Sequence, residues 1–181
     1  MEFDGRFYRS QARISQPVNV PVMASARQRK SLELCGAEAD GAISWLCPGV
    51  YLRDVALPAM KAGAERANKP VPPLVAHAPV CVHDNPDEVR TAMQQQSGYL
   101  SLPFYQRMFA TAGFPEAFDG RWSSGMIDAT VLSGNESEVA EKLESLLATG
   151  VTEVMALPIP AGSDREASIE RTLRLLGSVA G

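Results

Sequence analysis

The densest set of groups able to hold an anion runs Ala24-Ser25-Ala26-Arg27-Gln28-Arg29-Lys30. It follows a short apolar run and opens a helical pattern. Backbone N–H groups at the helix start, the Ser25 hydroxyl and the Arg27, Arg29 or Lys30 side chains can therefore converge on a phosphate or carboxylate. A solvated basic helix start that binds nothing has the same sequence, because cations there oppose the helix dipole. Ser44 and Trp45 close a second apolar run, where a Trp can flank a flat ligand or fill the core. His77 sits inside the apolar run Leu74 to Val82 and can serve as a proton donor or as a satisfied core histidine. His83 follows that run ahead of Asp84 and can reach a site or lie in a surface loop. The carboxylate pair Asp87 and Glu88 reads as helix capping. Phe104, Tyr105, Met108 and Phe109 form an aromatic cluster suited to a substrate mouth, a subunit interface or ordinary core.

Composition removes several classes of function. The 17 Lys+Arg against 21 Asp+Glu give a net charge of -4, so no overall field attracts nucleic acid or anionic lipid. Cys35, Cys47 and Cys81 lie far apart without CxxC spacing and read as small core residues, and with two histidines they make neither a disulfide framework nor a zinc site. No GxGxxG turn, no GxxxxGK[ST] loop and no nucleophile elbow is present. No apolar stretch approaches the ~18 residues of a membrane span, and the start of the chain lacks the order of a secretion signal. A cytoplasmic protein acting on a small molecule is the expectation.

The elements that must position these residues alternate. After a lead-in segment, residues 1–17, a strand is predicted over 18–24 and a helix over 27–39. A strand over 42–46 and a helix over 51–67 follow, then a strand over 74–82 that is nearly continuously apolar, as one covered on both faces must be. Pro79 removes one ladder donor from it. Asn85, Pro86 and Glu88 announce a helix with a capping box, running to about Gln96, and a further helix is predicted over 102–112. The stretch from Gly113 to Gly125 reads as loop. Asn135 and Glu138 make another capping box, Gly150 stops that helix, 153–157 is the last strand, and Ser163 to Glu166 caps a terminal helix. Four βα units in one domain, residues 1–181, predict a parallel sheet with helical crossovers. A closed (β/α)8 barrel needs eight units and typically ~250 residues, so this is half a barrel's worth.

The order Phe3-Asp4-Gly5-Arg6-Phe7-Tyr8, Pro21-Val22-Met23-Ala24-Ser25-Ala26 and Glu33 to Gly41 resembles the C-terminal half of luciferase-like oxidoreductases. The similarity continues through Pro79 to Val82, Leu102 to Phe114, Gly134 to Val139 and Gly150 to Val154, and covers essentially the whole chain. The resemblance implies strands five to eight of a (β/α)8 TIM barrel and hydride transfer with coenzyme F420, or with FMN as the alternative. It implies cofactor contacts from Ala24, Ser25, Ala26, Arg27, Gln28 and Arg29, with Ser44 and Trp45 beside them. Relatives usually carry a Gly-Pro pair where Gln28 and Arg29 stand. The first half of such a barrel commonly supplies the acid/base residues, so no catalytic residue is assigned here. Two other readings stay open: a non-catalytic half-barrel that serves as a scaffold or dimer, and a piece of a longer reading frame. In either case unpaired edge strands favour a homo-oligomer or pairing with a separate N-terminal half.

Overall fold

The computed structural model describes residues 2–13, 16, 19–95 and 97–180. It opens with an antiparallel hairpin, β1 (Glu2–Asp4) and β2 (Arg9–Gln11), closed by Gly5 N–H to the Tyr8 carbonyl and by an Arg9–Asp4 ion pair. The expected lead-in is thus a hairpin, and its aromatics Phe3, Phe7 and Tyr8 are exposed. The main sheet follows: β3 (Met23–Ser25), α1 (Arg29–Glu38), β4 (Gly41–Trp45), α2 (Gly49–Tyr51), a π-helical stretch (Leu52–Ala56), α3 (Leu57–Arg66) and β5 (Leu74–Val82). The second half comprises α4 (Pro86–Gln94), a 3-10 turn (Ser97–Ser101), α5 (Pro103–Thr111), a 3-10 turn (Pro115–Asp119), α6 (Ser124–Thr130), β6 (Leu132–Gly134), α7 (Glu136–Leu147), β7 (Glu153–Pro158) and α8 (Arg165–Val179).

Four expectations are corrected by local chemistry. The first main strand starts at Met23, because Val22 is tied by both backbone groups to Asp40 and Pro21 has no N–H to give a ladder; residue 18 of the predicted strand lies outside the described set. The predicted loop from Gly113 to Gly125 holds a 3-10 turn and the start of α6, whose N-cap Ser123 accepts from the Met126 N–H. Asp164, rather than Ser163, caps α8 by accepting from the Ala167 N–H. Asn85 caps α4, yet Glu88 does not complete a box and reaches His83 instead. The capping box at Asn135 and Glu138 forms as read. The π-helical stretch lies just before Pro58, whose ring and missing N–H cannot continue a regular ladder.

All pairings in the main sheet are parallel. β5 is its axis, buried along its whole length. Residues 75–77 of β5 pair with β4 on one edge and β7 on the other, and Val80 pairs with β6 and β7. β4 and β6 therefore share one edge of β5 in succession. Pro79 falls between the last β4 pair, at His77, and the first β6 pair, at Val80, so its missing N–H faces the gap where the neighbour changes. Across the sheet the order is β3-β4-β5-β7.

Alternate residues face opposite ways. On one side Ala42, Leu74 and Ala76 join Leu32, Cys35 and Met60 of α1 and α3, while Val80 and Val82 meet Val139 and Leu143 of α7 with Leu175 and Leu176 of α8 beside them. α1 and α3 approach through Gly36 and Gly63; a Cβ at the first would overlap the Met60 carbonyl, and at the second the Glu33 carbonyl. The opposite side carries Ser25, Ile43, Val75, Trp45, His77, Met155 and Leu157 in register rows. Met155 is 45% exposed and Leu157 38%, and Glu153 beside Val75 is exposed too, so this side is open at β7 and apolar apart from Glu153, Ser25 and His77. Trp45 lies flat on His77, ring centroids 3.5 Å apart and 9° from parallel. His77 is 3% exposed, and its Nδ1 is buried without a hydrogen-bond partner among the described residues.

Two stability measurements follow. Gly63→Ala should cost about 1–3 kcal/mol by overpacking, read as a lower urea midpoint. Gly177→Ala, in the exposed last turns of α8 where an added Cβ would meet nothing within 4 Å beyond the helix's own backbone, should be neutral or gain about 0.5–1 kcal/mol. Equal effects would remove the close-approach argument. Burial also pulls the His77 pKa below its ordinary 6.5, so the unfolded chain takes up a proton that the folded chain refuses. Stability must then fall as pH drops through about 6.5 and toward the folded pKa. His77→Phe should flatten the urea midpoint between about pH 7.5 and pH 5.5; an unchanged slope would exclude His77 as its source.

Candidate functional site

The turn between β3 and α1 is held from three directions. The Ala26 N–H donates to the Ile43 carbonyl (3.1 Å), the Tyr51 hydroxyl donates to the Arg27 carbonyl (2.7 Å), and the Gln28 carboxamide donates to the Phe104 carbonyl (2.8 Å). Ser31 accepts from the Gln28 N–H at 3.2 Å, which fixes the first turn of the helix. The turn is therefore gripped by β4, the start of the α2–α3 helix and α5. None of these partners is near it in sequence.

Arg27 is the notable group. Its guanidinium lies 4.5 Å from the Tyr105 ring centroid and 5.0 Å from that of Phe104, a cation–π seat on α5. Its Nε is buried with no hydrogen-bond partner, and no carboxylate reaches it among the described residues. The titratable groups around it do not neutralise it. Burial pushes the Cys47 thiol up to about 12, with Arg27 pulling against that rise. Burial likewise takes Tyr51 and Tyr105 up to about 12. All three are neutral near pH 7, so a half-buried cation stands at a helix N-terminus without an anion among the described residues. Arg29 and Lys30 beside it are exposed.

The sequence-derived set separates into parts. Ala24 and Ala26 pack on the core, and Ser25, Arg27, Gln28 and Arg29 line the turn. Ser25 shares the open sheet side with Trp45. Ser44 does not: it is buried, and its hydroxyl donates to the Val75 carbonyl at 3.3 Å. The aromatic cluster of α5 supplies the seat for Arg27, a role that only the tertiary contact reveals.

A second group lies at the C-terminal end of β5. His83 Nε2 is 2.6 Å from Glu88 Oε2. Beside it Arg171 of α8 bonds both Asp84 and Glu136, which holds the Glu136 carboxyl down at about 2 and Asp84 below its usual range. A cavity of about 370 Å³ reaches His83 from the β6 side, and one of about 260 Å³ reaches it from the loop after β7. Helix capping hid Glu88 in the sequence; no linear signal pairs it with His83.

A family model for luciferase-like monooxygenases matches residues 1–153. Among solved structures, an F420-dependent secondary alcohol dehydrogenase in complex with an F420-acetone adduct superposes with a TM-score of 0.75 at 15% identity, over 100% of this chain and 56% of that one. The coenzyme F420 dependent tetrahydromethanopterin reductase from Methanopyrus kandleri gives 0.61 at 22% identity over 97% and 56%. The oxygenating constituent of 3,6-diketocamphane monooxygenase from Pseudomonas putida, in complex with FMN, gives 0.54 at 15% over 97% and 56%. The chain thus spans about half the length of these structures and shares their fold. With the family model covering most of its residues, the chain belongs to the luciferase-like monooxygenase family.

Proposed function

We propose that this chain is the C-terminal half of a (β/α)8 oxidoreductase that moves hydride between a small-molecule substrate and coenzyme F420, with FMN as the alternative cofactor. The observation that carries the reading is Arg27, a cation at the start of α1 with no carboxylate partner among the described residues and its Nε buried and unsatisfied by them. F420 and FMN both carry phosphate, and the donor set here suits that anion. Ser25, Arg27 and Arg29 would hold it, with the first N–H groups of α1 adding their partial charge. Gln28, at the place where relatives usually carry glycine, is turned away to Phe104 and leaves Arg27 and Arg29 as the charged contacts. When bound, the cofactor supplies a ring carbon that gives or takes hydride. The chain's own contribution is orientation: Trp45, backed by the buried ring of His77, offers a flat face on the open sheet side, with the apolar side chains of Met155 and Leu157 on the same side.

That open side also calls for a cover, since parallel sheets are stable with both faces packed. We propose that a second half closes it, either another copy of this chain or a separate N-terminal half. No helix among the described residues is long and apolar enough to cross a membrane, and the three free, buried thiols suit a reducing, cytoplasmic setting.

Fluorescence titration tests the cofactor. F420 should be quenched on adding the chain, and Arg27→Ala should weaken binding about 10–100-fold, the worth of a charged hydrogen bond. Quenching of FMN alone would select the alternative, and quenching of neither would favour a scaffold. Light scattering tests the cover: the isolated chain should run heavier than its 19.5 kDa, and Met155→Glu should return it toward monomer. A parent chain that stays monomeric at high concentration would contradict self-association.

A further inference from the structure

Resting on the phosphate-binding reading above, we propose that Phe104 and Tyr105 of α5 are positioning residues for the cofactor phosphate, acting through Arg27. Two adjacent residues of the turn meet two adjacent residues of α5. The Arg27 guanidinium lies 4.5 Å from the Tyr105 ring centroid and 5.0 Å from that of Phe104, and the Gln28 carboxamide donates to the Phe104 carbonyl at 2.8 Å. The two ring centroids are 5.2 Å apart and the rings 39° from parallel, so the guanidinium rests in an angled seat instead of on one face. The seat is itself fixed. Tyr105 is 2% exposed and meets the Tyr99 ring edge-on, centroids 5.3 Å apart. At the other end of Arg27, the Tyr51 hydroxyl donates to its carbonyl at 2.7 Å. Main chain and side-chain tip are both anchored before any ligand arrives.

The chemistry of the seat matters as much as its place. Arg90 and Arg171 are held by carboxylates, which offset their charge locally and would compete with a phosphate for the same N–H groups. A ring face attracts the cation through its quadrupole and carries no net charge. Arg27 is therefore fixed in position while its charge remains available to an external anion. An arginine gives up rotamer freedom when it grips a ligand. Here that loss is taken on folding, so it does not subtract from binding. A lysine at this position would not serve equally, because an ammonium lacks the planar fork that meets two phosphate oxygens at once.

Fluorescence titration tests the proposal, with F420 as the probe, or FMN where FMN is what the parent binds. Tyr105→Leu should weaken binding about 10-fold. Tyr105→Phe keeps the ring face and should stay within about 2-fold of the parent. Phe104→Leu, at the less enclosed ring, should weaken binding about 3-fold and carries the same test where Tyr105→Leu fails to fold. In an Arg27→Ala background both leucine substitutions should change affinity by less than about 2-fold, since they act through that side chain. A merely structural role would cost as much without Arg27 as with it. A second readout needs no cofactor: the Arg27 Nε–H NMR signal, assigned by its loss in Arg27→Lys, should be displaced by the ring in the parent and move toward the free-arginine position in Tyr105→Leu. Equal affinities in the parent and both leucine variants, losses of the same size with and without Arg27, or a parent Nε–H signal at the free-arginine position overturn this proposal alone. A parent chain that binds neither F420 nor FMN overturns it together with the reading on which it rests.

Discussion

Parallel strands leave little freedom about what must surround them. Their hydrogen bonds are slanted and their connections run through helices, so they persist where both faces are packed. β5 obeys this along its whole length, with Leu74, Ala76 and Val80 against helices and Val75 and His77 shielded on the other side. At β7 the shielding fails, since Val154 and Ala156 meet α7 and α8 while Met155 and Leu157 stand open. The asymmetry grows from the sheet centre outward. A sheet that curves toward its open side would show this, and so would one that awaits a second set of strands.

Charge placement is the second constraint. Several arginines in the second half of the chain find carboxylates: Arg90 takes Asp87 and Asp128, Arg171 takes Asp84 and Glu136, and Arg174 takes Glu170. Arg27 is more enclosed than a surface lysine, yet among the described residues its guanidinium lies on ring faces and meets no carboxylate. Tyr51 and Cys47 could compensate it only as anions, and their burial opposes ionisation. An enclosed cation with neutral neighbours is costly unless an external anion answers it, and its place at a helix start is where such an anion gains most.

The sheet was legible in the sequence where one pattern dictated one structure. The nearly continuous apolar run Leu74 to Val82 is β5 residue for residue, and the Asn135–Glu138 box begins α7. Gly150, at φ +105°, ends the turn after that helix because few other residues adopt that angle cheaply. Short elements escaped: β6 is three residues that borrow their strand character from the end of β5, and β1 with β2 exists by mutual pairing alone. The site was half legible. The cluster from Ala24 to Arg29 stands out by composition, whereas Ser44 and Trp45 look equivalent in sequence and are parted by strand alternation, one bonding inward and one stacking outward.

Glu88 shows why a local motif can mislead. A capping box needs an N3 carboxylate to answer the N-cap amide, and Asn85, Pro86 and Glu88 meet the pattern. Pro86 at the first helical position has already removed one orphan donor, and the Asn85 side chain answers the Asp87 N–H at 3.1 Å. The helix start therefore gains little from Glu88, about the few tenths to 1 kcal/mol that a carboxylate adds near a helix N-terminus. Against that stands a close hydrogen bond to an imidazole in a partly enclosed cleft, where a charge-assisted bond is worth more than at an open surface. The carboxylate goes to His83, and the loop at Gly162 closes over the bond. The competition is settled by tertiary contact, since His83 and Glu88 meet only once β5 has delivered one and α4 the other to the same end of the sheet.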